Sequence, residues 1–248
     1  MNIANPLEKT GKFKAKVLSS KIKLDFKTDK KNLNIRNFFF RNKYLSFKSD
    51  GIITLSPFLN IDLKSKINDF DKDIFNKIDF KKLLENKDLL KRLNTNQEIN
   101  FSSKKFSRDI INDLNVKLSL AYGRIVIKKN IFLNEGEILC NSEMNLIEEN
   151  PILIFNCFLN TMDKKKFLKN FSIDYEKKNE YLNLKIKGNL NLNKKKINFL
   201  EIQTNNTYEA SEEDLKFYKD AFEGLLLEKN LLDIFKINKV NNFIKEII

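Results

Sequence analysis

Apolar and polar residues alternate along most of the chain with a period of two, the spacing that puts every second side chain on the same face of an extended strand. The segment YLNLKIKGNLNLN is the cleanest case. Leu182, Leu184, Ile186, Gly188, Leu190 and Leu192 fall on one face, and Asn183, Lys185, Lys187, Asn189, Asn191 and Asn193 on the other. The same pattern predicts strands through Phe13, Ala15 and Val17; Ile22, Leu24 and Phe26; Ile61 and Leu63 to Ile67; and Val116, Leu118 and Leu120. One apolar face backed by a Lys/Asn face implies an antiparallel sheet with one side in water. From Leu45 to Leu55 the alternation runs through Asp50-Gly51 without changing phase. That pair, which otherwise reads as a hairpin turn, is therefore predicted to bend a continuous strand, with the turn at Ser56-Pro57.

Three stretches switch to helical spacing. Residues 71 to 93 place Ile74, Phe75, Ile78, Leu83, Leu84, Leu90 and Leu93 on a rough stripe, and residues 163 to 170 form a shorter one. In the tail, Ser211 to Asp214 (SEED) resembles a capping box. Leu215, Tyr218, Phe222, Leu225 and Leu226 follow at helical spacing, and a second helix runs through Ile234, Ile237, Val240, Ile244 and Ile247. The fold class is therefore mainly β with helices: a long curled antiparallel sheet, interrupted by short helices and closed by a helical C-terminus. The expected division is a sheet region at 1–208, with a helical insertion near 71–94, and a helical pair at 209–248 packing on the sheet.

The units repeat. From Gly51 the order is Gly-led strand, Pro turn, alternating strand, acidic helix start and Phe; from Gly136 it recurs, with Pro57 matching Pro151 and Asp71 to Phe75 matching Asp163 to Phe167. A third copy from Gly188 lacks the Pro but ends in the SEEDLKF helix start. Repeated sheet units of this kind suit an open, extendable groove.

Composition changes the picture little. In 248 residues the 46 Lys plus Arg exceed the 33 Asp plus Glu, a formal charge of +13 that invites a nucleic-acid or anionic-membrane reading. Arg occurs only at positions 36, 41, 92, 108 and 124, without clustering, and the Lys residues are interspersed with acids. Nucleic acid is accordingly not expected as a partner, since Arg makes the bidentate phosphate and guanine contacts. No apolar run reaches the roughly 18 residues of a membrane-spanning helix, and the start has no signal-peptide pattern.

Candidate chemistry is sparse. The chain has no His, which removes His-based acid/base catalysis, the His-activated nucleophiles and most zinc sites. No phosphate-binding Gly loop, nucleophile elbow or calcium loop is present. Glu148 with Glu149, and Glu212 with Glu213, read as solvated turn and helix-start acids. The expectation is a protein that is not an enzyme and needs no cofactor or metal. The two cysteines are more informative. A hairpin turning at Glu148 and Glu149 sets Cys140 directly opposite Cys157, about 4.5 to 5.5 Å apart at Cα. That separation allows a disulfide; two buried free thiols are the alternative.

From Asn115 to Leu168 the chain resembles the C-terminal region of AsmA-like bacterial envelope proteins. The residues that carry the likeness are an alternating strand, Gly123 at a strand junction, the strand opened by Gly136, and the Pro151-led strand ending in a short acidic helix start. The likeness extends more weakly over Gly11 to Phe80 and the helical tail. It implies a periplasmic protein, held in the inner membrane by one N-terminal helix that would lie upstream of this chain, and a part in outer-membrane biogenesis. It also implies an apolar concave face that carries phospholipid acyl chains between membranes. On that basis Val116, Leu118, Leu120, Leu182, Leu184, Ile186 and Leu190 are the candidate groove-lining residues, with the core of a self-contained sandwich as the alternative role. A scaffold acting with outer-membrane assembly proteins is the second functional reading, and a basic nucleic-acid binder the last. An outer-membrane barrel is disfavoured by the helical C-terminus.

Overall fold

The computed structural model describes residues 8–71, 85–102, 111–176, 178–205, 207–227 and 237–247. Thirteen strands dominate it: β1 (Lys9–Val17), β2 (Ser20–Thr28), β3 (Asn32–Arg41), β4 (Leu45–Thr54), β5 (Asn60–Phe70), β6 (Asn94–Ser102) and β7 (Ile111–Ala121), followed by β8 (Arg124–Leu133), β9 (Gly136–Asn145), β10 (Ile152–Thr161), β11 (Leu182–Asn191), β12 (Lys196–Thr204) and β13 (Tyr208–Glu209). They form one mainly β sheet, hydrogen-bonded in sequence order from β1 to β13. The helices are α1 (Lys87–Arg92), α2 (Lys164–Lys169), α3 (Glu212–Phe222), which runs on into a π-helical turn at Glu223–Leu227, and α4 (Ile237–Ile247).

From β1 to β5 and from β9 to β13 neighbouring strands pair antiparallel, whereas β5 and β6 are parallel, Asn60 opposite Asn94 and Ile67 opposite Phe101. The alternation, which implied an antiparallel sheet, does not anticipate this one parallel pair. A parallel pair needs a crossover from one end of the strands to the other, and α1 is the described part of the connection between Phe70 and Asn94. Most of the helical stripe read there lies outside the described residues, as does Ile234 in the tail. The matching excursion in the second repeat behaves differently. α2 and the segment after it return the chain to the end it left, so β11 pairs antiparallel with β10. Repeated sequence units thus share a hairpin followed by a helix, without sharing the direction of the next strand.

Gly51 lies inside β4, as its unbroken phase predicts, at φ +150°, where an added Cβ would run into the carbonyl oxygen of Asp62 on β5. Alternation alone does not read β3. A bulge between Ile35 and Phe38 shifts the register, so that Ile35 lies opposite Gly51 while Phe38 lies opposite Ser49 and Phe40 opposite Phe47. The extra residue keeps all three apolar side chains on one face.

The described chain divides into two compact units, with the boundary inside β7 and β8: unit 1 holds residues 8–102 and 115–125, unit 2 residues 111–114 and 126–247. In unit 1, directly opposed residues share a face. That face carries Phe26 and Ile35 in one row, Phe13, Leu24 and Phe38 in the next, and Phe40, Phe47 and Ile67 beyond. Its described buried hydrophobics are Ile35, Leu90 and Leu120.

In unit 2 helices cover the sheet. One core joins Leu133, Phe167, Leu168, Phe171 and Ile173, with Ile138 and Leu159 of the sheet and Val240 and Ile244 of α4 packed against it. A second joins Leu190, Ile197, Phe199, Ile202 and Leu227 with Leu215, Tyr218 and Phe222 of α3. Edge-to-face rings, Phe155 on Phe199, Phe199 on Phe222 and Phe222 on Phe243, tie strand to helix to helix. α3 starts at the box read from SEED: Ser211 Oγ accepts from the Asp214 amide, and the Asp214 carboxylate accepts from the Ser211 amide. Asp163 caps α2 by accepting from the Lys166 amide at 2.8 Å.

Candidate functional site

The seven candidate groove residues fall into two groups. Val116, Leu118 and Leu120 alternate on β7, the first two half-buried and the third buried. Two concavities open nearby on unit 1. One, of about 460 Å³, crosses β4 to β7 at Gly51, Leu63, Gln97 and Leu118. The other, of about 400 Å³, lies between the β4–β5 loop and the ends of β6 and β7, at Pro57, Phe58, Thr95, Leu120 and Tyr122. Their walls are mixed: Lys64, Glu98 and Lys117 line the first and Asn60, Asn94 and Asn96 the second.

On β11, Leu182 and Leu190 are buried, and Leu184 and Ile186 pack with Leu190 in the second core beneath α3. The chain's own helix covers this stretch of face, so Leu184, Ile186 and Leu190 lie in a core between sheet and helix. The reason is local. The stripe of Leu215, Tyr218 and Phe222 on α3 is as apolar as the strands it meets, and a short turn after β13 brings it back onto β12.

Cys140 and Cys157 form a disulfide, with Cα atoms 4.1 Å apart. The β9–β10 register places them directly opposite, on the face that also carries Ile138 and Leu159. On β8, Lys129 alternates in phase with Ile131 and Leu133 and so lies on the apolar side. Burial pushes its pKa down, with desolvation as the sole cause. The opposite, wet face carries paired charge. Glu201 on β12 accepts from Lys185 and, at 2.6 Å, from Lys187, both on β11. Those bonds hold the Glu201 carboxyl below its ordinary pKa and the Lys187 ammonium above.

No group of three or more His, Cys, Asp or Glu side chains is placed to hold a metal among the described residues. Nor is any described helix long and apolar enough to cross a membrane. No protein-family model, curated protein or solved structure matches the chain.

One feature escaped the sequence reading. Phe58 and Tyr122 are 71% and 75% exposed at the same end of unit 1, where both line one concavity. The available signal was chemical: a Phe straight after a turn proline and a Tyr at the first position of a two-residue Tyr-Gly turn are large apolar residues where turns favour small polar ones.

Proposed function

We propose that this chain is a non-enzymatic, lipid-binding segment of a cell-envelope protein, in which the apolar face of unit 1 takes phospholipid acyl chains. The observation that carries the reading is the state of that face. Phe13 is 51% exposed, and Leu24, Phe26, Phe38, Phe40, Phe47 and Ile67 are half-buried, although all share one side of five neighbouring strands. A row of large apolar side chains in that state gains about 25 cal/mol for each Å² withdrawn from water, and acyl chains are a covering layer of matching polarity. The Cys140–Cys157 bridge supports an oxidising compartment such as the periplasm, where disulfides form and persist. The AsmA-like likeness supplies the same location and the same cargo.

The test is lipid retention. Protein purified without added lipid should carry phospholipid in native mass spectrometry and take up a fluorescent acyl-chain lipid. Leu24→Asp and Phe47→Asp should remove both signals. Ile52→Asp, on the other face of β4 opposite Asp62, should leave them. Lipid-free wild-type protein that takes up no probe would overturn the reading.

A further inference from the structure

At the end of unit 1 where β4 passes to β5, four segments meet. The Leu55 amide donates to the Lys31 carbonyl of the β2–β3 turn at 2.7 Å, and the Asn94 amide, at the junction of α1 and β6, donates to the Leu59 carbonyl at 3.4 Å. The β7–β8 turn closes the group, because Tyr122 lines the same concavity as Phe58 and Asn94. Hydrogen bonds therefore fix this end, yet several of its large apolar side chains stay exposed. Besides Phe58 and Tyr122, Leu55 is 52%, Leu59 39% and Leu89 59% exposed.

The charges around them are lopsided. Among the described residues, Lys30, Lys31, Lys91 and Arg92 are exposed at this end, with Glu85 and Asp88 as the exposed acids. Asp29, half-buried, stays anionic and is turned into its own loop, accepting from the amides of Lys31 at 2.6 Å and Asn32 at 2.7 Å. Aromatic and aliphatic tips with a rim of Lys and Arg match a bilayer surface, where rings settle at the headgroup level and cations meet anionic lipid. A protein partner fits less well, since protein interfaces are depleted of lysine.

We propose that this end of unit 1 docks on an anionic phospholipid bilayer, with Phe58 and Tyr122 entering the headgroup boundary and Lys30, Lys31, Lys91 and Arg92 lying against the headgroups. The contact is carried by turns rather than by the sheet face. It stands whether or not the apolar face holds acyl chains, and the two are measured separately.

The chain has no Trp, so Phe58→Trp in the full chain gives a single reporter. Its emission should shift to the blue, and be quenched by acyl-brominated lipid, on vesicles containing phosphatidylglycerol and much less on phosphatidylcholine. Leu18→Trp is the control, because Leu18 is 95% exposed in the β1–β2 turn at the opposite end of the same strands; its emission should not move. Phe58→Ser with Tyr122→Asn leaves the net charge unchanged and should cut flotation with phosphatidylglycerol vesicles roughly tenfold. These loop changes should preserve the circular dichroism and the uptake of fluorescent lipid by the apolar face. An unshifted Phe58→Trp, an equal shift from Leu18→Trp, or undiminished flotation of the double variant would each overturn the proposal. The last two would trace vesicle binding to the +13 charge alone.

Discussion

The two units write the same strand pattern and use it differently. In unit 2 the apolar side of the sheet lies beneath α2, α3 and α4 and holds most of the described buried hydrophobics; in unit 1 the equivalent side along β1 to β5 is mostly only partly buried, with Phe13 exposed and Ile35 buried. Alternation therefore states that a face is apolar, not what covers it. In unit 2 the cover is encoded nearby in sequence, by amphipathic helices that follow their hairpins. The described part of unit 1 has only the six-residue α1, which contributes Leu90.

The contrast can be broken most directly in the cores. Phe167→Ala should cost about 3 to 5 kcal/mol in urea-induced unfolding, because its ring is buried among Leu168, Phe171 and the sheet. Phe38→Ala, on the half-buried face of unit 1, should cost less than half as much. Equal losses would mean that the face of unit 1 is packed as tightly as a core.

Removing the covalent link comes next. Cys140→Ser with Cys157→Ser opens a bridge spanning 17 residues and should cost about 3 kcal/mol, with a matching drop in the wild-type midpoint under reductant. Hydrogen exchange should rise first in β9 and β10 while unit 1 stays unchanged.

Unit 1 has its own weak point at Gly51. Gly51→Ala meets both the positive φ and the Asp62 carbonyl, and should cost about 1 to 3 kcal/mol. Gly224→Ala, in the π-helical turn of unit 2 with open space around the added Cβ, should stay within about 1 kcal/mol of wild type. Comparable losses at the two sites would deny Gly51 its special place in β4.

The smallest change would make unit 2 resemble unit 1. Ser211→Ala removes the cap of α3 and should cost about 1 kcal/mol, read as faster amide exchange in α3 and more dye binding over Phe199 and Ile202. Acid should act in the same direction. The amide and hydroxyl of Ser211, followed by the hydroxyl of Tyr208, hold the Asp214 carboxyl below its ordinary pKa. The stability it contributes is thus present above the ordinary carboxylate value and is lost as pH falls through the lowered one. An Asp214 carboxyl that titrates at the ordinary value in an NMR pH series would remove that link.

Much of the fold was legible because its signals are local. Strand period, the phase through Gly51, the Ser211–Asp214 box and the opposition of Cys140 and Cys157 each depend on a short window of sequence. The bulge in β3 was not legible: an inserted residue looks like a broken pattern until the neighbours at Phe26 and Gly51 reveal the register. Of the candidate groove, the strands could be read and their cover could not. Leu118 and Ile186 have the same alternating surroundings, yet one lines a concavity and the other lies under α3.

By itself, then, the sequence determined the cleanly alternating strands such as β1, β2, β4, β7 and β11, the apolar side of each, where α3 begins and that the chain has no His. These follow from period, capping and composition, which a short window of sequence contains. Only the tertiary structure decided that β6 runs parallel to β5, that the face of β11 is core while that of β1 to β5 is half-open, and that Phe58 and Tyr122 meet at one end. Each of these depends on where a connecting segment carries the chain. Such a path is set by the sum of many weak contacts between residues distant in sequence, and no window of neighbouring residues contains it.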